Sequence, residues 1–296
     1  MTYTYPMNTR STASITPRIN LKFGFGSDIP RFWFEGDVFK TRLFDADSVL
    51  TPCAERFFIN SIRDFRDQIT DPQLAEAARA FVQQEGQHSR QHTEANQRLK
   101  DTGIDIGAIE RGYAAFDAKL RRWVSPRFAM AITAAQEYLT AVSARAFMSY
   151  PDHLRNADPR IFALVAWHAV EEFEHKSVAF DVMQQAAKVG YFMRIGALLF
   201  STPLFNWRLL STLDGMLKVD GYSRLQRLGL MIRGFRWMYS DTGLTRFEVG
   251  DFFAYFRPGF HPSEMHGAVP NYREWLAVYG RNQDPIEAGE ALRNAA

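Results

Sequence analysis

Cysteine occurs once in 296 residues, at Cys53. That excludes an internal disulfide framework, and it leaves any metal site to nitrogen and oxygen donors. Charge of one sign is missing as well: 35 lysines and arginines stand against 33 aspartates and glutamates, a net of +2. Nothing in that balance directs the chain to nucleic acid. Alternating apolar and polar residues are nearly absent, apart from a stretch at Ile19 to Phe25 that reads as a short strand. Long apolar runs are lacking too. The strongest, GYFMRIGALLFSTPLFNW over residues 190–207, is broken by Arg194 and Pro203. It falls short of the roughly 20 apolar residues that span a bilayer. A buried helix and turn is the expectation there, with peripheral contact to a membrane as the alternative. The first residues, MTYTYPMNTRSTASITPR, lack the apolar centre of a secretory signal. A cytoplasmic location is expected, membrane association through residues 190–207 being the alternative.

What the chain does have is apolar residues, 46% of the total, enough for one sizeable core. Four long segments read as helices. The first follows Thr51-Pro52 and runs through ERFFINSIRDFRDQI. The second opens at Asp71-Pro72 and reaches about Leu99, the third runs from Ser125-Pro126 to about Tyr150, and the fourth runs from Asp158-Pro159 past Met183. A small polar residue followed by proline is a start signal, because proline fits the first turn after a capping side chain. Ile104 to Trp123 is helical in pattern and supplies a long connection between the second and third helices. Shorter helices are expected over Tyr222 to Tyr239 and Arg246 to Phe256. The organisation read from this is all-α: a flexible tail over 1–30, a four-helix bundle over 31–190, and a helical extension packed on it over 191–296.

The apolar seam of the second helix runs Leu74, Ala78, Phe81, Glu85, His88, His92, Ala95, Leu99. The fourth repeats the walk as Ile161, Val165, His168, Glu172, His175, Ala179, Val182, Ala186. In each, a Glu-x-x-His pair interrupts a seam that faces the interior. A carboxylate there costs several kcal/mol unless compensated, and a metal ion compensates several at once. The first helix adds Glu55 among Phe58, Ile62, Phe65 and Ile69, and the third adds Glu137 among Met130, Ala134, Ala141, Ala144 and Met148. One Glu from each of two helices and one Glu-x-x-His from each of two others is the ligand set of dinuclear carboxylate bundles. Carboxylates bridging and imidazoles capping suit iron or manganese.

His168 lies one turn before Glu172 on the same seam and is read as an additional ligand. His92, one turn beyond His88, stands between an outer partner and plain core. Glu171, Glu174 and Lys176 are read as a solvated or outer face, and Tyr138 projects about 100° from Glu137 and receives no catalytic role. The competing reading pairs the buried acids with histidines or with Arg63 and Arg79.

These residues resemble the ferritin-like diiron carboxylate superfamily. The wider text, with AERFFINSIRDF, FVQQEGQHSRQH, AAQEYLTA and AWHAVEEFEHKSVAFDV, is similar to a bacterial family catalogued as predicted metal-dependent hydrolases, from about Pro30 to beyond residue 250. His168-x-x-x-Glu172-x-x-His175 also resembles the last-helix pattern of diiron arylamine N-oxygenases, p-aminobenzoate N-oxygenase among them, where the extra histidine joins the ligands of one iron. The resemblances imply a ferritin-like bundle holding two iron ions, with manganese or a mixed pair as alternatives. The ligands would be Glu55, Glu85, His88, Glu137, His168, Glu172 and His175, the four glutamates taking part in catalysis. The leading expectation is an oxygenase or oxidase using dioxygen and an electron donor on an apolar or aromatic small molecule. A metal-dependent hydrolase is the alternative, and a non-enzymatic iron-binding protein the second.

Overall fold

A computed structural model describes residues 15–240, 248–265 and 270–295. Among them the chain is helical, and the only β pairing is a single bridge between Phe34 and Ala157. The strand expected at Ile19 to Phe25 is not formed. That segment is irregular, with positive φ at Asn20 and Gly24 and no partner strand, and Leu21 and Phe23 are buried.

Four helices surround the centre: α1 (Val38–Arg63), α2 (Pro72–Asn96), α4 (Pro126–Ser149) and α5 (Pro159–His175). α1 lies along α2 and α4 along α5, and the pairs meet through α1–α4 and α2–α5 contacts. Proline starts α2, α4 and α5 as the sequence implies. In each, the preceding side chain (Asp71, Ser125 or Asp158) accepts a backbone N–H of the first turn. Each such cap contributes about 1 kcal/mol. Helix α3 (Ile106–Trp123) connects α2 to α4.

Three boundaries differ from expectation, the simplest being the end of α1, which stops at Arg63 with a separate 3-10 turn over Arg66–Gln68 before Ile69. α1 begins at Val38, fourteen residues before Pro52, so the proline lies inside the helix. A proline there removes a donor and leaves the carbonyl four residues earlier without its helical partner. That carbonyl, on Ser48, instead accepts from Asn96 Nδ2 of α2 at 2.9 Å. The fourth expected helix is two: α5 stops at His175, and α6 (Val178–Gln185) begins after a turn at Lys176 and Ser177.

The remaining helices wrap this centre. α7 (Tyr191–Val219) is one continuous helix through Pro203, not a helix and turn, and it covers α1 and α4. α8 (Arg224–Met238) packs on α1 and α7, and α9 (Glu248–Ala254) on α4. α10 (Pro270–Asn282) and α11 (Pro285–Ala295) close over α4 and α5. Arg194 is buried and donates to the carbonyls of Tyr255 and Arg257, so it holds the segment after α9 and offers nothing to a membrane. Among the described residues no helix is long and apolar enough to cross one. The expected tail over 1–30 divides. Residues 1–14 lie outside the described residues, whereas 15–30 run over the helices and anchor to them through buried Arg18, Leu21, Phe23 and Ile29.

Candidate metal centre

The apolar interior falls into clusters, and the polar turns of the central helices lie between or within them. On α2, Phe81 belongs to one cluster and Ala95 to another, with Glu85 and His88 between. On α4, Glu137 instead lies within the first cluster, between Ala134 and Ala141. Four glutamates are thereby enclosed: Glu85 is 0% exposed, Glu137 1%, Glu55 3% and Glu172 5%. Among the described residues no lysine or arginine pairs with any of them. Arg63 and Arg79, the alternative partners, are exposed. The counter-charges within reach are imidazoles.

His88 Nδ1 lies 3.7 Å from Glu55 Oε1, 3.8 Å from Glu85 Oε1 and 3.7 Å from Glu172 Oε1. His175 Nε2 lies 3.2 Å from Glu85 Oε1, 3.3 Å from Glu137 Oε2 and 3.3 Å from Glu172 Oε2. His168 Nε2 lies 3.0 Å from Glu172 Oε1 and 3.8 Å from Glu55 Oε1. All seven residues singled out in the sequence therefore converge. They form three overlapping donor groups that can hold a cation: Glu55–His88–His168, Glu85–Glu137–His175 and Glu85–His88–Glu172, each with its atoms within 4.8 Å of one another. Glu85 takes part in two groups, and Glu172 turns one oxygen to His88 and the other to His175, so both acids face the two halves of the site.

The outward nitrogen of each imidazole is engaged, which orients its inward one. His88 Nε2 meets Glu171 Oε2 at 3.1 Å. A carboxylate accepts, so Nε2 carries the proton and Nδ1 presents a lone pair inward. His175 Nδ1 meets Gln84 Oε1 at 2.9 Å, while Gln84 Nε2 donates to Glu174 Oε2 at 2.9 Å. His168 ends a longer chain. Asn96 gives its Nδ2 proton to the Ser48 carbonyl, so its Oδ1 accepts from Ser48 Oγ at 2.7 Å. With its proton spent there, Ser48 Oγ accepts from His92 Nδ1 at 2.8 Å. Burial, reinforced by His168 and His88, holds His92 well below the usual imidazole range and therefore neutral. Its Nε2 then accepts from His168 Nδ1 at 2.8 Å, and that bond turns His168 Nε2 toward Glu172 Oε1, 3.0 Å away in the site. His92 is thus an orienting partner of His168.

Arg18, from the segment expected to be loose, closes the outer layer. Its guanidinium pairs with Glu171 at 3.0 Å and Glu174 at 2.6 Å, beneath the Trp275 ring of α10. Glu171 is fully buried and Glu174 nearly so; neither lies on a solvated face, and Lys176 is buried too. Tyr138 points away and donates to the Asp251 carbonyl. Ser89 Oγ donates to Glu55 Oε2 at 2.7 Å, and Thr140 Oγ1 donates to Glu172 Oε2 at 2.8 Å. Gln84, Ser48, Asn96 and Arg18 were not anticipated as outer partners, whereas Glu171 and Glu174 take the outer of the two roles read for them. Asn96 carried the nearest signal, since it continues the polar run of α2 one turn past His92.

After these bonds are made, several buried atoms still lack a hydrogen-bond partner: Glu55 Oε1, both oxygens of Glu85 and of Glu137, His88 Nδ1 and His175 Nε2. Buried polar atoms are rarely left so, and here they face one another. Burial, and then repulsion from Glu85, holds Glu55 and Glu137 well above the usual carboxylate range, and burial pushes Glu85 up to about 8. Burial also opposes charge on His175, but Glu172, Glu137 and Glu85 outweigh it and raise its pKa well above the ordinary value. The position selects for positive charge. Divalent cations fit this donor set of carboxylate oxygens and oriented imidazole nitrogens.

Comparison with known proteins adds one finding. The profile of a family described as predicted metal-dependent hydrolase matches residues 17–266. No curated protein and no solved structure matches the chain significantly.

Proposed function

The chain belongs to the predicted metal-dependent hydrolase family, and from that premise we propose a hydrolase working through two divalent ions. Glu55, His88 and His168 would hold one ion, and Glu137 and His175 the other, with Glu85 and Glu172 shared. The surrounding α1, α2, α4 and α5 are read as a ferritin-like bundle to which the later helices are added. The observation that carries this reading is the set of mutually facing, unpartnered buried oxygens and nitrogens. Bound ions would supply Lewis acidity, bringing the pKa of a water toward about 7 and polarising a carbonyl or phosphoryl oxygen.

The chain's own groups do the rest. Glu171 and Gln84 keep His88 Nδ1 and His175 Nε2 turned inward, and the Asn96–Ser48–His92 series does so for His168 Nε2. His168, with 19% of its side chain exposed, is the most accessible of the seven, and Thr140 beside Glu172 is exposed. A small substrate would approach past these two. Around the remaining acids the apolar packing keeps bulk water out.

A second reading is favoured by the donor set itself. Four carboxylates with histidines and no thiolate, in a helical core, are also the ligands of redox-active iron and manganese proteins. On that reading, dioxygen and an electron donor take part, and the substrate is an apolar or aromatic small molecule.

One experiment separates the two. Protein loaded with ferrous iron or manganese without air is offered ester and phosphoester substrates, then exposed to oxygen. Metal-dependent cleavage before exposure, lost in Glu85→Gln together with bound metal, is the expected result. Oxygen uptake with oxidation of an added substrate, and no cleavage, would replace hydrolysis by the oxidative reading. Iron accumulating far beyond two ions per chain would point to storage.

A further inference from the structure

The outward side of α8 carries an apolar seam. Leu225, Leu228, Ile232 and Tyr239 follow at steps of three, four and seven and therefore line one side of the helix. They are 82%, 57%, 48% and 70% exposed. This is not a core face left open, because the helix is docked by another side. There Gly234 abuts the Phe39 ring so closely that a Cβ would stand 2.2 Å from it, Lys40 lies over the Trp237 ring, and Arg227 pairs with Asp214 of α7.

The charges on α8 are of one sign. Arg224, Arg227, Arg233 and Arg236 lie on it, and no acidic residue does. Among the described residues only Arg227 of these four has a carboxylate partner. At 100° per residue, Arg236 falls beside Ile232 and Tyr239, and Arg233 lies just beyond it. The preceding helix adds a second apolar stripe: on α7, Phe192, Leu199, Phe200 and Trp207 are 88%, 53%, 42% and 62% exposed. The one charged residue of that stretch, Arg194, is turned inward.

We propose that α8 docks the chain on an anionic lipid surface. Its apolar seam enters the headgroup–acyl boundary, and Arg224, Arg233 and Arg236 bond lipid phosphates. The contact is peripheral, since none of the described helices is long and apolar enough to cross a bilayer. A symmetric pairing with a second copy would instead bring these arginines toward one another. This inference does not depend on which reaction the metal centre performs.

Vesicle sedimentation of the full chain tests it. The protein is expected to sediment with vesicles containing phosphatidylglycerol and not with phosphatidylcholine alone, and added salt should weaken the binding. Each basic residue near such a surface contributes ~1 kcal/mol, about a fivefold factor. The triple substitution R224Q/R233Q/R236Q should therefore weaken binding on the order of a hundredfold, and L225S/L228S/I232S should abolish it with helicity by circular dichroism unchanged. The proposal is overturned if the unaltered chain stays in the supernatant. Equal binding to both vesicles regardless of salt also overturns it. So does light scattering that shows a dimer split by L225S/L228S/I232S, which would assign the seam to a second copy.

Discussion

His92 shows how much one ring nitrogen decides. It contributes nothing to the facing donor atoms, yet through its bond to His168 it determines which nitrogen of that ring carries the proton. Replacing His92 by alanine removes the acceptor, so His168 is free to turn or to change tautomer. Loss of such an orienting partner lowers metal affinity about 10–100-fold. His92→Ala should show that loss for one of two ions, read by competition against a chelator, while the other keeps its affinity. His92→Gln can still accept from His168 and donate to Ser48, and it should recover most of the difference. Equal behaviour of the two variants would mean that His92 merely fills space.

At the level of elements, the junction of α1 and α2 repays attention because a helix defect is used there. Pro52 frees the Ser48 carbonyl, Asn96 occupies it, and the same asparagine directs the Ser48 hydroxyl. An unmet carbonyl costs about 1–3 kcal/mol. Asn96→Ala should therefore destabilise the protein by about 1–2 kcal/mol in denaturant unfolding. In a Pro52→Ala background the new amide at position 52 can serve the Ser48 carbonyl, so Asn96→Ala should cost less there, with a coupling of about 1 kcal/mol. Additive effects would contradict this account. The apolar seam of α2 was fully legible in the sequence, for Leu74, Ala78, Phe81, Glu85, His88, His92 and Ala95 are all buried, as is Leu99 in the 3-10 turn that follows. That of α5 was less so: Val165 and His168 are only partly buried, and the break after His175 has no proline or glycine to announce it.

Across the whole molecule, the concentration of buried acids ties stability to pH. Glu85, at about 8, and Glu55 and Glu137, both raised, bind protons in the folded state at pH values where the unfolded chain, near 4.5, has released them. A raised carboxylate stabilises the fold below its unfolded pKa, and that contribution is lost as pH rises toward the folded one. Each proton bound differentially changes stability by about 1.4 kcal/mol per pH unit. His175, also raised, acts in the same direction at higher pH; Glu172, held low, matters only in acid. Metal-free protein should therefore lose thermal stability between about pH 5 and 8. With saturating manganese or iron the fall should vanish, since ions replace the protons. Melting curves across this range, with chelator and with metal, check the prediction; a metal-free protein that gains stability over it would refute the assignment.

The sequence by itself determined the helical class, most helix starts and all seven inward donors. These follow from spacing along one strand of chain: apolar residues recurring with the helical period, and acids and histidines at three- and four-residue steps within it. Only the tertiary structure decided what surrounds those donors. Glu171 meets Arg18 across 153 positions, His175 meets Gln84 across 91 and His168 meets His92 across 76. No periodicity links residues so far apart. Their pairing depends on how helices pack and on which buried proton or carbonyl would otherwise go unmet, and that is a property of the assembled core.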